Sequence, residues 1–175
     1  MQVKPKIFLI DVDGVLTTGQ FFYTEEGKKM KAFGPDDHDG LSLLKAYMDI
    51  RFVTGDRKGF AISKRRVVDD MKYTLDLVST IKRIDWIRSL WEPKEVIYMG
   101  DGIFDHYVFR EVGYAIAPGN ADTFAKKAAN FVTQRNGGDR ALAEACLHIL
   151  EHFFEPYDPK ALPKTELKLS GEWTV

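Results

Sequence analysis

Two aspartates one residue apart, Asp11 and Asp13, follow the apolar run Ile7-Phe8-Leu9-Ile10. Such a run reads as a strand buried on both faces, as in parallel sheets. The carboxylates therefore stand where an extended chain leaves the core, and Gly14 lets the backbone turn away. Carboxylates this close repel each other. A bound Mg2+, which prefers hard oxygen ligands, would relieve that repulsion. In open α/β sheets ligands bind outside the carboxyl ends of the strands, so the pair is placed for metal-assisted chemistry. A polar turn is the plainer reading of Asp-x-Asp alone, because Asp is a common turn residue. Three later stretches weigh against it.

Thr54-Gly55 closes a second predicted strand, Ile50-Arg51-Phe52-Val53. Lys82 lies near the start of a helical pattern. Gly100-Asp101-Gly102-Ile103-Phe104-Asp105 closes a third, the apolar run Val96 to Met99. Each is weak alone: Thr-Gly and Gly-Asp-Gly are ordinary turns, and a helical lysine is ordinarily a solvated charge. Their order is what is specific, because the acidic and hydroxyl groups fall at the carboxyl ends of successive strands.

The elements that must position these groups follow from periodicity. Strands are predicted over 6–11, 50–56, 95–101 and 114–117, with short extended segments over 73–79 and 131–133. Helices are predicted over 41–48, 58–71, 80–91, 105–112, 121–129 and 140–154. Aromatic residues flank a polar turn at Gly27, so residues 20–33 read as a β-hairpin. The βαβα alternation predicts a doubly wound three-layer α/β/α, Rossmann-like parallel sheet with a hairpin insertion and no separate cap domain. Residues 1–154 form one expected domain. Pro156, Pro159 and Pro163 mark 155–175 as a tail.

The chain has 175 residues, 45% of them hydrophobic, with a net charge of -1. That suffices for one core and supplies no basic excess for a nucleic acid. The single cysteine, Cys146, can form no internal disulfide and is expected to pack. The polar first residues do not resemble a signal peptide, and no apolar run reaches the length of a membrane span. The expected compartment is the cytoplasm.

Taken together these stretches resemble the haloacid dehalogenase superfamily of phosphatases. Asp11 to Thr17 matches its first motif, Thr54-Gly55 its second, Lys82 its third and Gly100 to Asp105 its fourth. Lys72 and Arg83 are alternatives to Lys82. The closer resemblance covers about residues 6–150. It is to the small capless branch typified by 3-deoxy-D-manno-octulosonate 8-phosphate phosphatases and related nonulosonate 9-phosphate phosphatases. The resemblance implies Mg2+ held by Asp11, Asp13 (through its carbonyl) and Asp101, with Asp105 supporting. It implies Asp11 as nucleophile and Asp13 as general acid and base. Thr54, Gly55 and Lys82 would bind the phosphoryl group. A catalytically weak or regulatory module is the competing class, and absent acids would have pointed there. The resemblance also implies a small phosphomonoester substrate, a sugar or sugar acid, and a homotetramer in which the 20–33 hairpins form the central contact.

The chain departs from the branch where the leaving group would be chosen. Asp56 stands where the pattern has Arg after Thr-Gly, with Arg57 next. An acid there disfavours an anionic sugar acid unless Arg57 or Lys58 compensates. The loop after Phe33 carries Asp37-His38-Asp39-Gly40, and Ala143 replaces a terminal arginine, with Arg140 nearby. Lys31, His38, Arg57 and Arg140 are the candidates for contact with the rest of the substrate.

Overall fold

The computed structural model describes residues 4–161. Residues 162–175 of the expected tail therefore lie outside the described residues. Strand β1 (Ile7–Asp11) alternates its side chains between two cores. Phe8 and Ile10 enter one apolar cluster, while Ile7 and Leu9 enter the other. A strand clad on both faces has to be apolar at every position, which explains the unbroken run.

The sheet is six-stranded, with spatial order β5-β4-β1-β6-β7-β8. Its further members are β4 (Asp49–Thr54), β5 (Thr74–Leu77), β6 (Val96–Met99), β7 (Tyr114–Ala117) and β8 (Phe131–Val132). Every pairing is parallel. Helices α1 (Asp37–Leu44) and α6 (Ala141–Phe153) cover one face. Helices α3 (Arg83–Leu90), α4 (Asp105–Phe109) and α5 (Thr123–Ala128) cover the other. β1 is flanked by β4 and β6, so the chain winds away from it in both directions. The crevice beyond its carboxyl end is the switch point where such sheets bind ligands.

The hairpin consists of β2 (Thr17–Thr24) and β3 (Gly27–Phe33), which pair with each other and not with the main sheet. Phe21, Phe22 and Tyr23 are exposed, whereas Phe33 packs against the core. No separate cap domain is present among the described residues.

Two predicted helices differ most from the observed ones, and α4 stops at Phe109, short of the predicted 112. α1 begins at Asp37 and stops at Leu44, earlier than the predicted 41–48. It passes through Gly40, where a side chain would meet the Cα of Ala143 in α6 at 2.8 Å, so tight helix packing outweighs the low propensity of glycine. The predicted 58–71 helix is a short α2 (Phe60–Lys64) continued by a wider turn over Arg65–Asp70.

Candidate active site

The turn after β1 carries the first two acids. Gly14 adopts φ 88°, a conformation that side chains disfavour. A Cβ there would lie 2.0 Å from Asp101 Oδ2, so only glycine lets the first acidic turn approach the turn after β6 so closely. The Gly137-Gly138 pair closes the turn from behind, with the Gly138 N–H donating to the Val15 carbonyl at 3.0 Å.

Asp11, Asp101 and Asp105 converge here. Each offers a carboxylate oxygen, and these oxygens all lie within 4.8 Å of one another. Burial raises the Asp11 carboxyl to about 7; Arg83 opposes that rise, and Asp105 and Asp13 add to it. Asp101 is raised to about 8 by burial and then by the charges of Asp11 and Asp105. Three hard oxygen donors that resist ionising in each other's company suit a divalent cation, which would hold all of them charged. Asp105 is the most committed of the three. Its Oδ1 accepts from the Tyr98 hydroxyl at 2.8 Å and its Oδ2 from the Gly102 N–H at 2.8 Å. Asp11 and Asp101 lie nearer to open space.

Arg83 supplies the cation of this site. Its side chain is fully buried, with Nη1 3.1 Å from Asp11 Oδ2 and 3.5 Å from Asp105 Oδ1, and it donates to Tyr98 Oη at 2.5 Å. Lys82, assigned by the motif resemblance, is exposed and lines neither cavity beside the carboxylates. Lys72, the other alternative, is exposed and donates to the Asp69 carbonyl. The physical reason is helix phase. The Thr80–Lys82 turn leads into α3 so that position 83 faces inward, beside the core contact Ile87 four residues on.

Asp13 lines both cavities together with Asp11. Its Oδ2 accepts from Thr54 Oγ1 at 2.9 Å, and its Oδ1 is 2.6 Å from Lys31 Nζ. Thr54 is buried, and its Oγ1 also accepts from the Asp56 N–H at 3.0 Å, so its hydroxyl is committed to positioning Asp13 and the following turn. Lys31 is a buried member of the site. Sequence patterning offered only its place at the hairpin's end, since nothing local marks a lysine as buried.

Two cavities of about 290 Å³ each open onto Asp11 and Asp13. Gly55 and Thr80 line the first, Thr80 and Asp101 the second, and Phe21 from the hairpin stands in both. The other expected substrate contacts lie elsewhere. His38 is half-buried edge-on to Tyr73 at 6.0 Å between ring centroids. Arg57 is exposed, and Arg140 pairs with Asp36 at 2.5 Å on the surface. None of the three lines either cavity.

Residues 79–145 match the family model of haloacid dehalogenase-like hydrolases. The chain is 28% identical over 155 residues to the 3-deoxy-D-manno-octulosonate 8-phosphate phosphatase of Yersinia pestis, covering 83% of this chain and 79% of that one. A solved structure of the Moraxella catarrhalis phosphatase of that name, in complex with magnesium, phosphate and KDO, superposes with a TM-score of 0.73. It is 29% identical and covers 84% of this chain and 86% of that one. The cobalt-bound Haemophilus influenzae protein gives a TM-score of 0.73 at 28% identity, over 85% and 88% of the two chains. Fold, acidic cluster and these likenesses support a phosphatase that resembles the haloacid dehalogenase type, with Mg2+ as its cofactor. Within that class the chain resembles the 3-deoxy-D-manno-octulosonate 8-phosphate phosphatases.

Proposed function

We propose that the chain hydrolyses a small phosphorylated sugar or sugar acid through an aspartyl-phosphate on Asp11. The observation that carries the reading is the convergence of Asp11, Asp101 and Asp105 oxygens within 4.8 Å beside an open cavity. Asp11 and Asp101, with the Asp13 carbonyl, would hold the Mg2+, and Asp105 would anchor their setting. Bound there, the ion supplies charge neutralisation for carboxylate and phosphoryl oxygens that otherwise repel.

The Asp11 carboxylate attacks phosphorus; the new O–P bond forms as the bond to the substrate alcohol breaks. Asp13 gives its proton to the departing oxygen, then takes one from the water that cleaves the acyl phosphate. Thr54 and Lys31 hold Asp13 from either side for both transfers. Arg83 orients Asp11 and meets the charge gathering on the phosphoryl group, the role the motif resemblance gave to Lys82. Gly55 and Thr80 border the phosphoryl space.

Similarity to 3-deoxy-D-manno-octulosonate 8-phosphate phosphatases supports a sugar-phosphate substrate. We take residues 1–154 as the catalytic unit, and the exposed Phe22 and Tyr23 of the hairpin as the contact of a homotetramer. Among the described residues no helix is long and apolar enough to cross a membrane. The test is Mg2+-dependent phosphate release from p-nitrophenyl phosphate, abolished in Asp11→Asn. Undiminished release by that variant would refute the nucleophile.

A further inference from the structure

One wall of the first cavity is built more elaborately than phosphoryl transfer requires. Asp56 Oδ2 lies 2.5 Å from Lys28 Nζ and 2.9 Å from Lys31 Nζ, and Asp56 Oδ1 accepts from the Gly59 N–H at 3.0 Å. Lys31 also donates to Ser63 Oγ at 2.8 Å. The Lys28 ammonium sits 3.4 Å from the Phe21 ring centroid. The two lysine side chains are 4% and 0% exposed, and that of Asp56 14%. Gly59 makes room for the group: a Cβ there would lie 2.1 Å from Asp56 Oδ2 and 2.7 Å from Lys31 Cε.

The charges that this wall presents to the cavity cancel. Lys28 is paired with Asp56, and Lys31, which lines neither cavity, is enclosed between Asp56, Asp13 and Ser63. Arg57 and Lys58 are exposed and line neither cavity, and Arg83 is engaged with Asp11 on the phosphoryl side. A carboxylate on the leaving group would enter the cavity with no spare cation to meet it, which is costly in a partly desolvated site. Hydroxyls fare differently. They can donate to Asp56 and accept from Lys28, while the part-exposed Phe21 ring offers an apolar face to the carbon chain.

We propose that Asp56 is a specificity-determining residue, which neutralises Lys28 at the cavity and holds Lys31 behind it, and so selects phosphomonoesters of uncharged sugars or polyols over those of sugar acids. The inference rests on the phosphatase reading and narrows its substrate class. It separates this chain from relatives whose names specify a sugar-acid ester.

The matched probes are glucitol 6-phosphate and 6-phosphogluconate, which differ only in whether C1 is a primary alcohol or a carboxylate. The wild type is expected to favour the glucitol ester in kcat/KM by about tenfold, the scale of one unmatched charge several ångströms away in a partly screened site. Asp56→Asn unbalances the two ammonium groups and should move the ratio about tenfold toward the carboxylate. Lys28→Met should move it the other way, and it decides the matter if circular dichroism finds Asp56→Asn unfolded. A wild-type preference for 6-phosphogluconate, a ratio unmoved by either variant, or use of p-nitrophenyl phosphate with neither hexitol ester overturns the inference alone. Failure to hydrolyse all three esters overturns the phosphatase reading and the inference with it.

Discussion

Replacing Arg83 with methionine keeps most of the apolar stem and removes a guanidinium that is fully buried. The variant leaves Asp11 without the cation 3.1 Å away and the Tyr98 hydroxyl without its 2.5 Å donor. Removing one partner of a buried ion pair costs about 3–5 kcal/mol. That cost requires Asp11 to be ionised, and burial sets its carboxyl at about 7. In EDTA at pH of about 8 Asp11 of the variant can take up a proton for about 1.4 kcal/mol, one pH unit above about 7, which caps the loss at about 2.5–3.5 kcal/mol, a fall in Tm of roughly 8 °C for a domain of this size. At pH of about 5.5 Asp11 already carries its proton, and the loss should shrink toward that of ordinary hydrogen bonds, about 1–2 kcal/mol. Urea denaturation at the two pH values, with m compared, reads the difference directly. A penalty below about 1 kcal/mol at the higher pH, or an equal loss at both, would show that Arg83 does not stabilise an ionised Asp11.

Three further outcomes follow from the same geometry. Asp11 and Asp101 are raised by burial to about 7 and about 8, so the folded protein holds protons that the unfolded chain has released. The metal-free protein should therefore lose stability as pH rises from about 4 to about 8, and the gain in Tm on adding Mg2+ should be larger at the top of that window. Gly14→Ala would drive a methyl into Asp101, from 2.0 Å, at φ 88°; it should cost about 1–3 kcal/mol and weaken the Mg2+-induced shift, both by thermal melts. Lys82→Ala should leave stability within about 0.5 kcal/mol and phosphate release unchanged; a large loss of release would restore Lys82 to the phosphoryl site.

The main sheet was legible because buried parallel strands require apolar runs, and Ile7-Phe8-Leu9-Ile10 and Val96-Ile97-Tyr98-Met99 are such runs. The acids were legible because the ends of those strands meet at the switch point, bringing Asp101 and Asp105 to Asp11 from far along the chain. The cations were only partly legible: Arg83 stood as an alternative to Lys82, and Lys31 as a substrate contact, with nothing to show that either is buried. Lys82 and Arg83 are adjacent and look equally solvated in sequence; only the phase of α3 against the sheet buries the second. Lys31 is hidden for a similar reason. Its burial depends on the hairpin folding over Asp13 and Ser63, contacts separated by 18 and 32 positions. Thr54 was expected at the phosphoryl group because strand-end position carries no information on where a hydroxyl points, and here it points to Asp13.

The central claim is that carboxylates from two strand ends share one divalent ion. Calorimetric titration of Mg2+ into the metal-free protein, wild type against Asp101→Asn, tests it most directly. A single wild-type site is expected, with an affinity lower by about tenfold or more in the variant. Equal affinity in the two proteins would mean that Asp101 holds no ion with Asp11, and the proposed chemistry would lose its basis.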